Sequence, residues 1–208
     1  MNQSSMENRL EADVLVIGGG IAGCFAAIKA SEQGAEVILV DKGYVGKSGQ
    51  PPYTGSFMAF NPEWGHKLDD WMNYINKTSE YVNNRYWTEI TITESYARYQ
   101  DLVSWGVPFQ QGDDDRPIRY PAPPGVTEAL RFDEKARGDY AQILRKQVLR
   151  SGVKVLDRIM VTELLKQGVD LRFGHRTTAM RNYVNLAVPT MPLLVADKRG
   201  AAETKIIA

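Results

Sequence analysis

Cysteine and histidine are the scarcest chemistry-bearing residues in this sequence: Cys24 is the only cysteine, and His66 and His175 are the only histidines. A single cysteine excludes an internal disulfide framework and fits a reducing compartment. Two histidines far apart in the chain, with one thiol, supply no spaced ligand set, so no metal site is expected. An excess of charge of either sign is also missing. The 25 basic and 25 acidic side chains leave a formal net charge of +0, and no footprint for nucleic acid or an anionic membrane surface. No apolar run approaches the roughly 20 residues of a membrane span, and the opening MNQSSMENRLEAD is polar, without a signal-peptide core. A cytoplasmic protein with no direct membrane span is the expectation. The 208 residues, 43% hydrophobic and 24% charged, suffice for one globular core.

Along the chain, residues 1–11 form a polar tail. Residues 12–17 (ADVLVI) read as a buried strand, 21–33 as an alanine-rich helix stopped by Gly34, and 35–40 (AEVILV) as a second buried strand ending at Asp41. A β-α-β crossover of this length makes parallel sheet. Residues 42–61 lack periodicity and read as a long loop. Amphipathic spacing predicts a helix over 67–82, with Leu68, Trp71, Met72 and Ile75 on one face. A second is predicted over 87–105, aligning Tyr96, Tyr99, Leu102 and Val103. The Pro- and Asp-rich stretch 106–125 shows no regular period. A helix over 139–151 and strand character from 153 to 165 follow. Within 168–208 only PLLVA (192–196) has strand character. The expected fold is α/β: a Rossmann-type parallel sheet with a helical and irregular insertion over about 62–138.

Gly18, Gly20 and Gly23 spell G-x-G-x-x-G between a strand and a helix. Gly18 allows the tight turn, Gly20 lets the backbone approach a pyrophosphate, and Gly23 lets the helix pack close to the strand. The phosphates then meet the helix N-terminus, whose N–H groups and dipole favour anions. Asp41 ends the next strand, where a carboxylate accepts hydrogen bonds from an adenosine ribose and disfavours a 2′-phosphate. The motif serves NAD and FAD alike, and structural turns also use it.

The stretch ADVLVIGGGIAGCFAAIKASEQGAEVILVDKGYVGKSGQPPYTGSFMAFNP, followed by WMNYI, ESYARYQDLVSWGVPF and GDYAQILRKQVLRSGVKVLDRIMVTELLKQ, resembles the fumarate reductase/succinate dehydrogenase flavoprotein family. L-aspartate oxidase and the flavoprotein component of adenylylsulfate reductase are relatives in it. The likeness covers about residues 12–167 and implies a glutathione-reductase-like FAD-binding domain, present as its N-terminal part. It implies that Gly18, Gly20, Ile21, Ala22 and Gly23 hold the FAD pyrophosphate and that Asp41 and Lys42 flank the adenosine ribose. Lys47, Ser48 and Gly49 match the loop along the ribityl chain and flavin. Thr54, Gly55 and Ser56 match, imperfectly, a small-residue stretch beneath the isoalloxazine, and Val161 matches a residue whose backbone meets the adenine. Respiratory members place a flavin-linking histidine where this chain has Gly49, which implies noncovalent FAD.

The family implies hydride transfer to or from a small-molecule substrate and, as partner, an iron–sulfur or other electron-transfer subunit. Its substrate and proton-transfer residues come after the point where this chain ends, so no catalytic residue is assigned. Residues 168–208 lack the family's Ala-Thr-Gly-Gly-like strand and turn. The expectation is an incomplete domain, interrupted near Gln167 by truncation, gene splitting or a shifted frame. Two functions stand: the FAD-binding part of such an oxidoreductase, or a non-catalytic nucleotide-binding fragment or split subunit needing a second polypeptide.

Other candidates have plainer readings. His66 near a helix start reads as a solvated surface residue. Cys24 sits where a helix dipole lowers a thiol pKa, but a small buried residue under the glycine turn is the expectation. Asp113, Asp114 and Asp115 read as a solvated loop and Arg116, Arg119 and Arg131 as surface arginines. The aromatics Trp71, Tyr74, Tyr81, Tyr86, Trp87, Tyr96, Tyr99 and Trp105 are expected mostly in the core or an interface.

Overall fold

The computed structural model describes residues 10–53, 55–122, 125–133, 139–161 and 195–197. The glycine motif sits inside a β-α-β unit. Strand β1 (Val14–Ile17) leads into helix α1 (Ile21–Glu32), which returns to β2 (Val37–Asp41). β1 and β2 pair in parallel from Val14↔Val37 to Ile17↔Val40. Strand β6 (Lys154–Asp157) adds in parallel on the far side of β2, from Ile38↔Lys154 to Asp41↔Asp157. On the other edge, β7 (Val195–Asp197) runs antiparallel to β1, giving the order β6-β2-β1-β7. The strand character at 192–196 thus surfaces at 195–197, and 192–194 lie outside the described residues.

Period-two alternation splits the apolar side chains between two faces. Val16 and Leu39 pack with Cys24, Ala27 and Ile28 of α1, and with Leu144 and Val148 of α4 (Asp139–Arg150). Leu15, Ile38 and Val40 face the other way, against Ile17, Leu156, Ile159 and Val161. All five β2 residues are buried because both its faces are covered, one by α1 and α4 and the other by Leu156, Ile159 and Val161, which is why its sequence is an unbroken apolar run until Asp41.

The insertion is more regular than its sequence suggests. β3 (Ser56–Met58), β4 (Arg119–Ala122) and β5 (Thr127–Arg131) form an antiparallel sheet ordered β3-β5-β4. Neither the long loop at 42–61 nor the irregular stretch at 106–125 is without strand. Pro121 falls in β4, an edge strand, where a missing N–H is tolerated. Helices α2 (Leu68–Thr78) and α3 (Arg85–Ser104) enclose Phe60, Trp71, Met72 and Ile92. An aromatic chain runs from Tyr99 through Phe109 and Phe132 to Tyr140, with neighbouring ring centroids 4.8–4.9 Å apart, and welds the second sheet to α3 and α4. Three expected core positions are on the outside: Val103, Tyr81 and Tyr86 are exposed. Tyr81 lies in the α2–α3 turn, and Val103 and Tyr86 sit on the solvent side of α3. No helix among the described residues is long and apolar enough to cross a membrane.

Candidate nucleotide-binding site

The chain leaves β1 through Gly18, whose φ of +103° is open only to glycine without strain, and whose N–H donates to Val40 O at 2.8 Å. Gly20 is the N-cap of α1 and carries no capping side chain, and no acidic residue lies in the first turn. The N–H groups of Ile21, Ala22 and Gly23 therefore head a helix with no carboxylate or hydroxyl of their own to satisfy them. A Cβ on Gly18 would meet nothing within 4 Å, so the space outside the turn is open. A Cβ on Gly23 would overlap the carbonyl oxygen of Gly18, so the helix packs against the strand as closely as glycine permits.

Asp41 is buried, 3% exposed, and its carboxylate is turned onto the glycine turn. Oδ2 accepts from Gly19 N–H at 2.5 Å, and Oδ1 accepts from Gly43 N–H at 2.6 Å and from Ser48 Oγ at 2.5 Å. A ribose diol reaching this carboxylate has to share an oxygen or displace Ser48, which has a second acceptor in Tyr44 O at 3.2 Å. Gly49 lies beside Gly20 across the turn. Lys42 and Lys47 are exposed on its rim. Gly55 is farther along, its carbonyl accepting from Phe132 N–H at 3.1 Å, and Val161 packs under β2 with Val40 and Leu156. Thr54 lies outside the described residues. The structure thus brings Gly18, Gly20, Ile21, Ala22, Gly23, Asp41, Ser48 and Gly49 around one turn, with Lys42 and Lys47 at its margin.

Two residues that support this turn carry no motif in the sequence. Asp157 at the end of β6 accepts from Val45 N–H at 2.8 Å and takes both arms of the Arg145 guanidinium, at 3.0 and 2.6 Å. Arg145 also donates to Val45 O at 3.3 Å. Next in the chain, Gly46 N–H donates to Gly19 O at 2.7 Å. The ion pair therefore holds the 43–46 turn against the glycine turn from behind. Hydrogen bonding to Arg145 holds the Asp157 carboxyl below its ordinary value of 3.8. A folded-state value below the unfolded one stabilises the protein above the unfolded value, and this support is lost as pH falls through the folded value. Acid unfolding followed between about pH 5 and 2 should accordingly be steeper in wild type than in Asp157→Asn. Arg145→Ala should cost about 2 kcal/mol, the scale of a charge-assisted bidentate contact, read as a lower urea midpoint at neutral pH.

Cys24 is fully buried, its Sγ 3.6 Å from Gly19 O. Burial pushes its thiol from 9.0 up to about 12, so no activated nucleophile sits here. A raised folded value means that its stabilising contribution is complete below 9.0 and is lost as pH rises toward 12. Thiol titration of the native protein near neutral pH should proceed only as fast as the fold opens; rapid labelling would contradict the burial.

His66 is not the solvated residue its position suggests. Its side chain is 7% exposed, Nδ1 accepts from Asn61 N–H at 3.1 Å, and Nε2 lies 2.9 Å from Glu128 Oε2. With Nδ1 accepting, the proton sits on Nε2 and points at the carboxylate. Arg119 shares Glu128 at 3.2 Å and packs over Trp64, so it too is engaged. A cleft of about 640 Å³ lies beside this group, between Trp64–Lys77 and Gly125–Glu128, away from the glycine turn. Both His66 nitrogens at its edge are already engaged by Asn61 and Glu128. Asp113, Asp114 and Asp115 are exposed. Among the described residues no cluster of three or more His, Cys, Asp or Glu groups could hold a metal ion.

A family model described as an FAD binding domain matches residues 13–183. The chain is similar to one subunit of the fumarate reductase (CoM/CoB) of Methanothermobacter marburgensis, with 30% identity over 172 residues that cover 77% of this chain and 30% of that protein. Among solved structures, E. coli quinol fumarate reductase FrdA superposes with a TM-score of 0.67 at 16% identity, over 76% of this chain and 28% of that one. Adenylylsulfate reductase from Archaeoglobus fulgidus superposes with a TM-score of 0.61 at 21% identity, over 77% and 26%. At these identities the structural matches establish the fold. The chain spans less than a third of the length of each of these three relatives.

Proposed function

Because this chain belongs to the FAD binding domain family, we propose that the turn after β1 binds the pyrophosphate of a noncovalent FAD, as the N-terminal part of a fumarate reductase/succinate dehydrogenase-type oxidoreductase. The observation that carries the proposal is the N-terminus of α1, which no side chain caps, preceded by a Gly18 with open space beside it and with the Asp41 carboxylate one strand away. These residues fit the cofactor. The amides of Ile21, Ala22 and Gly23 supply donors for phosphate oxygens, Gly20 lets the diphosphate lie against main chain, and Asp41 with Lys42 flanks the ribose. Lys47, Ser48, Gly49 and Gly55 lie on the flavin side of this path, and the backbone at Val161 takes the adenine edge. Gly49, lacking a side chain, offers no atom for a covalent flavin link.

When bound, FAD supplies a two-electron, hydride-exchanging centre. The substrate, the residue that moves the proton and an iron–sulfur or other electron-transfer partner all belong to the complete assembly. Cytoplasmic location is part of the same reading, in keeping with one buried thiol. A second reading draws on the short span relative to the relatives: a nucleotide-binding part that turns over only with a further polypeptide.

Titration of the purified protein with FAD tests the proposal. Yellow protein, with flavin absorbance released on denaturation, is the expected result. Protein that stays colourless in excess FAD refutes it, and saturable uptake of NADH in place of FAD would reassign the site to a nicotinamide dinucleotide. Turnover of dicarboxylates by the yellow protein alone would eliminate the second reading.

A further inference from the structure

In an open parallel sheet the ligand lies across the carboxyl ends of the strands. With a diphosphate over the β1–α1 turn and a ribose at Asp41, the next group along the path falls over the carboxyl end of β6, the neighbour of β2. Two residues at that edge take no part in the core. Tyr44 is 49% exposed, and Arg158 is exposed with its guanidinium carbon 5.8 Å from the Tyr44 ring centroid. The backbone holds both in place. Arg158 N–H donates to Gly43 O at 2.8 Å, Ile159 N–H donates to Asp41 O at 3.0 Å, and Tyr44 O accepts from Lys47 N–H at 2.9 Å.

Arg158 adopts φ +58°, the left-handed region in which a Cβ is strained and which glycine enters freely. Glu80, Tyr81 and Asp115 adopt it too, so the strain alone marks no site; what singles out Arg158 is its place at the carboxyl end of β6 beside the exposed Tyr44 ring. The guanidinium is planar, stays charged and stacks on π faces. Tyr44 beside it extends the flat surface.

We propose that Tyr44 and Arg158 form the stacking wall for the adenine ring. This inference rests on the FAD reading above. It adds an adenine contact made by side chains that neither the glycine motif nor Asp41 supplies. The wall touches only the adenosine half, which FAD shares with ADP, so both ligands should respond to it equally.

The test compares wild type with Tyr44→Ala, Arg158→Gly and Arg158→Lys, by FAD titration, by ADP competition against FAD, and by melting of the FAD-free protein. Arg158→Gly is expected to leave the FAD-free melting temperature at or above wild type, because the left-handed strain is gone. It should weaken FAD and ADP by a common factor of about ten. Arg158→Lys should resemble Arg158→Gly in binding, since an ammonium has no plane to stack, and Tyr44→Ala should weaken both ligands similarly.

Wild-type FAD affinity in Arg158→Gly overturns the wall. So does a melting temperature that falls in step with affinity, which would assign Arg158 a structural role. Loss of FAD affinity without loss of ADP affinity, or ADP that fails to compete on wild type, overturns it as well. A wild-type protein that binds no FAD overturns both this inference and the reading beneath it, whereas the other failures leave FAD binding standing.

Discussion

Gly23→Ala is expected to abolish FAD uptake and to lower stability by about 3 kcal/mol, the upper range for forcing an extra methyl into a packed position. The added Cβ would strike the carbonyl oxygen of Gly18, which is main chain, and would also meet Val16 Cγ1 at 3.6 Å. Neither α1 nor β1 can give way cheaply. The helix is buried along Cys24, Ala27 and Ile28, and the strand is hydrogen-bonded on both edges. Urea unfolding gives the stability and flavin absorbance gives the uptake. Gly20→Ala is the informative contrast. Its Cβ would stand 3.4 Å from Ser48 O, ordinary contact, so the fold should keep a near-wild-type midpoint while FAD binding weakens because the methyl fills the gap between Gly20 and the Ser48–Gly49 backbone. Equal effects of the two substitutions on midpoint and uptake would refute the assignment of separate roles to these glycines.

Asp41→Ala should be comparably severe, about 3 kcal/mol, for a different reason. Three donors converge on one carboxylate: Gly19 N–H, Gly43 N–H and the Ser48 hydroxyl. Removing it strands the buried amide of Gly19, and each unsatisfied buried donor costs about 1–3 kcal/mol. Asp41→Asn keeps one oxygen but turns an NH2 toward a group that is itself a donor, so it should recover only part of the loss. Because the same carboxylate is the proposed ribose anchor, both variants should lose FAD affinity beyond what the drop in midpoint accounts for. The control is FAD affinity measured well below the midpoint, where the variants remain folded. Wild-type affinity in folded Asp41→Asn would remove Asp41 from the ribose contact.

The Arg145–Asp157 pair shows why some of the site was illegible in the sequence. Its members belong to α4 and β6, and neither lies in a glycine-rich or otherwise unusual stretch. The pair matters because β6 docks beside β2 and brings Asp157 within 2.8 Å of Val45 N–H, a contact spanning 112 positions. Only the parallel register Asp41↔Asp157 creates it. His66 makes the same point from the other side. A histidine before a helix, next to a lysine, reads as solvated. Its ring is covered by those of Phe60, Trp64 and Trp71, with centroids 4.9–5.9 Å away, and its Nε2 is met by Glu128 of β5, 62 positions along the chain.

The crossover was legible because its determinants are local. An unbroken apolar run reports a strand covered on both faces, glycines at three spaced positions report a turn with no room for side chains, and Gly34 reports where α1 stops. Amphipathic spacing likewise located α2, α3 and α4 to within a few residues.

The sequence by itself determined the β-α-β unit, the glycine turn and the acid at the end of β2, since each depends on residues within about thirty positions and on the conformations open to them. Only the tertiary structure decided that Asp41 turns its carboxylate onto Gly19 and Ser48. The same holds for the second sheet joining Ser56–Met58 to Thr127–Arg131 and for Arg145 and Asp157 bracing the turn from behind. Those outcomes depend on which distant backbone donors and carboxylates arrive at the same place, and a pattern of neighbours along the chain carries no record of that.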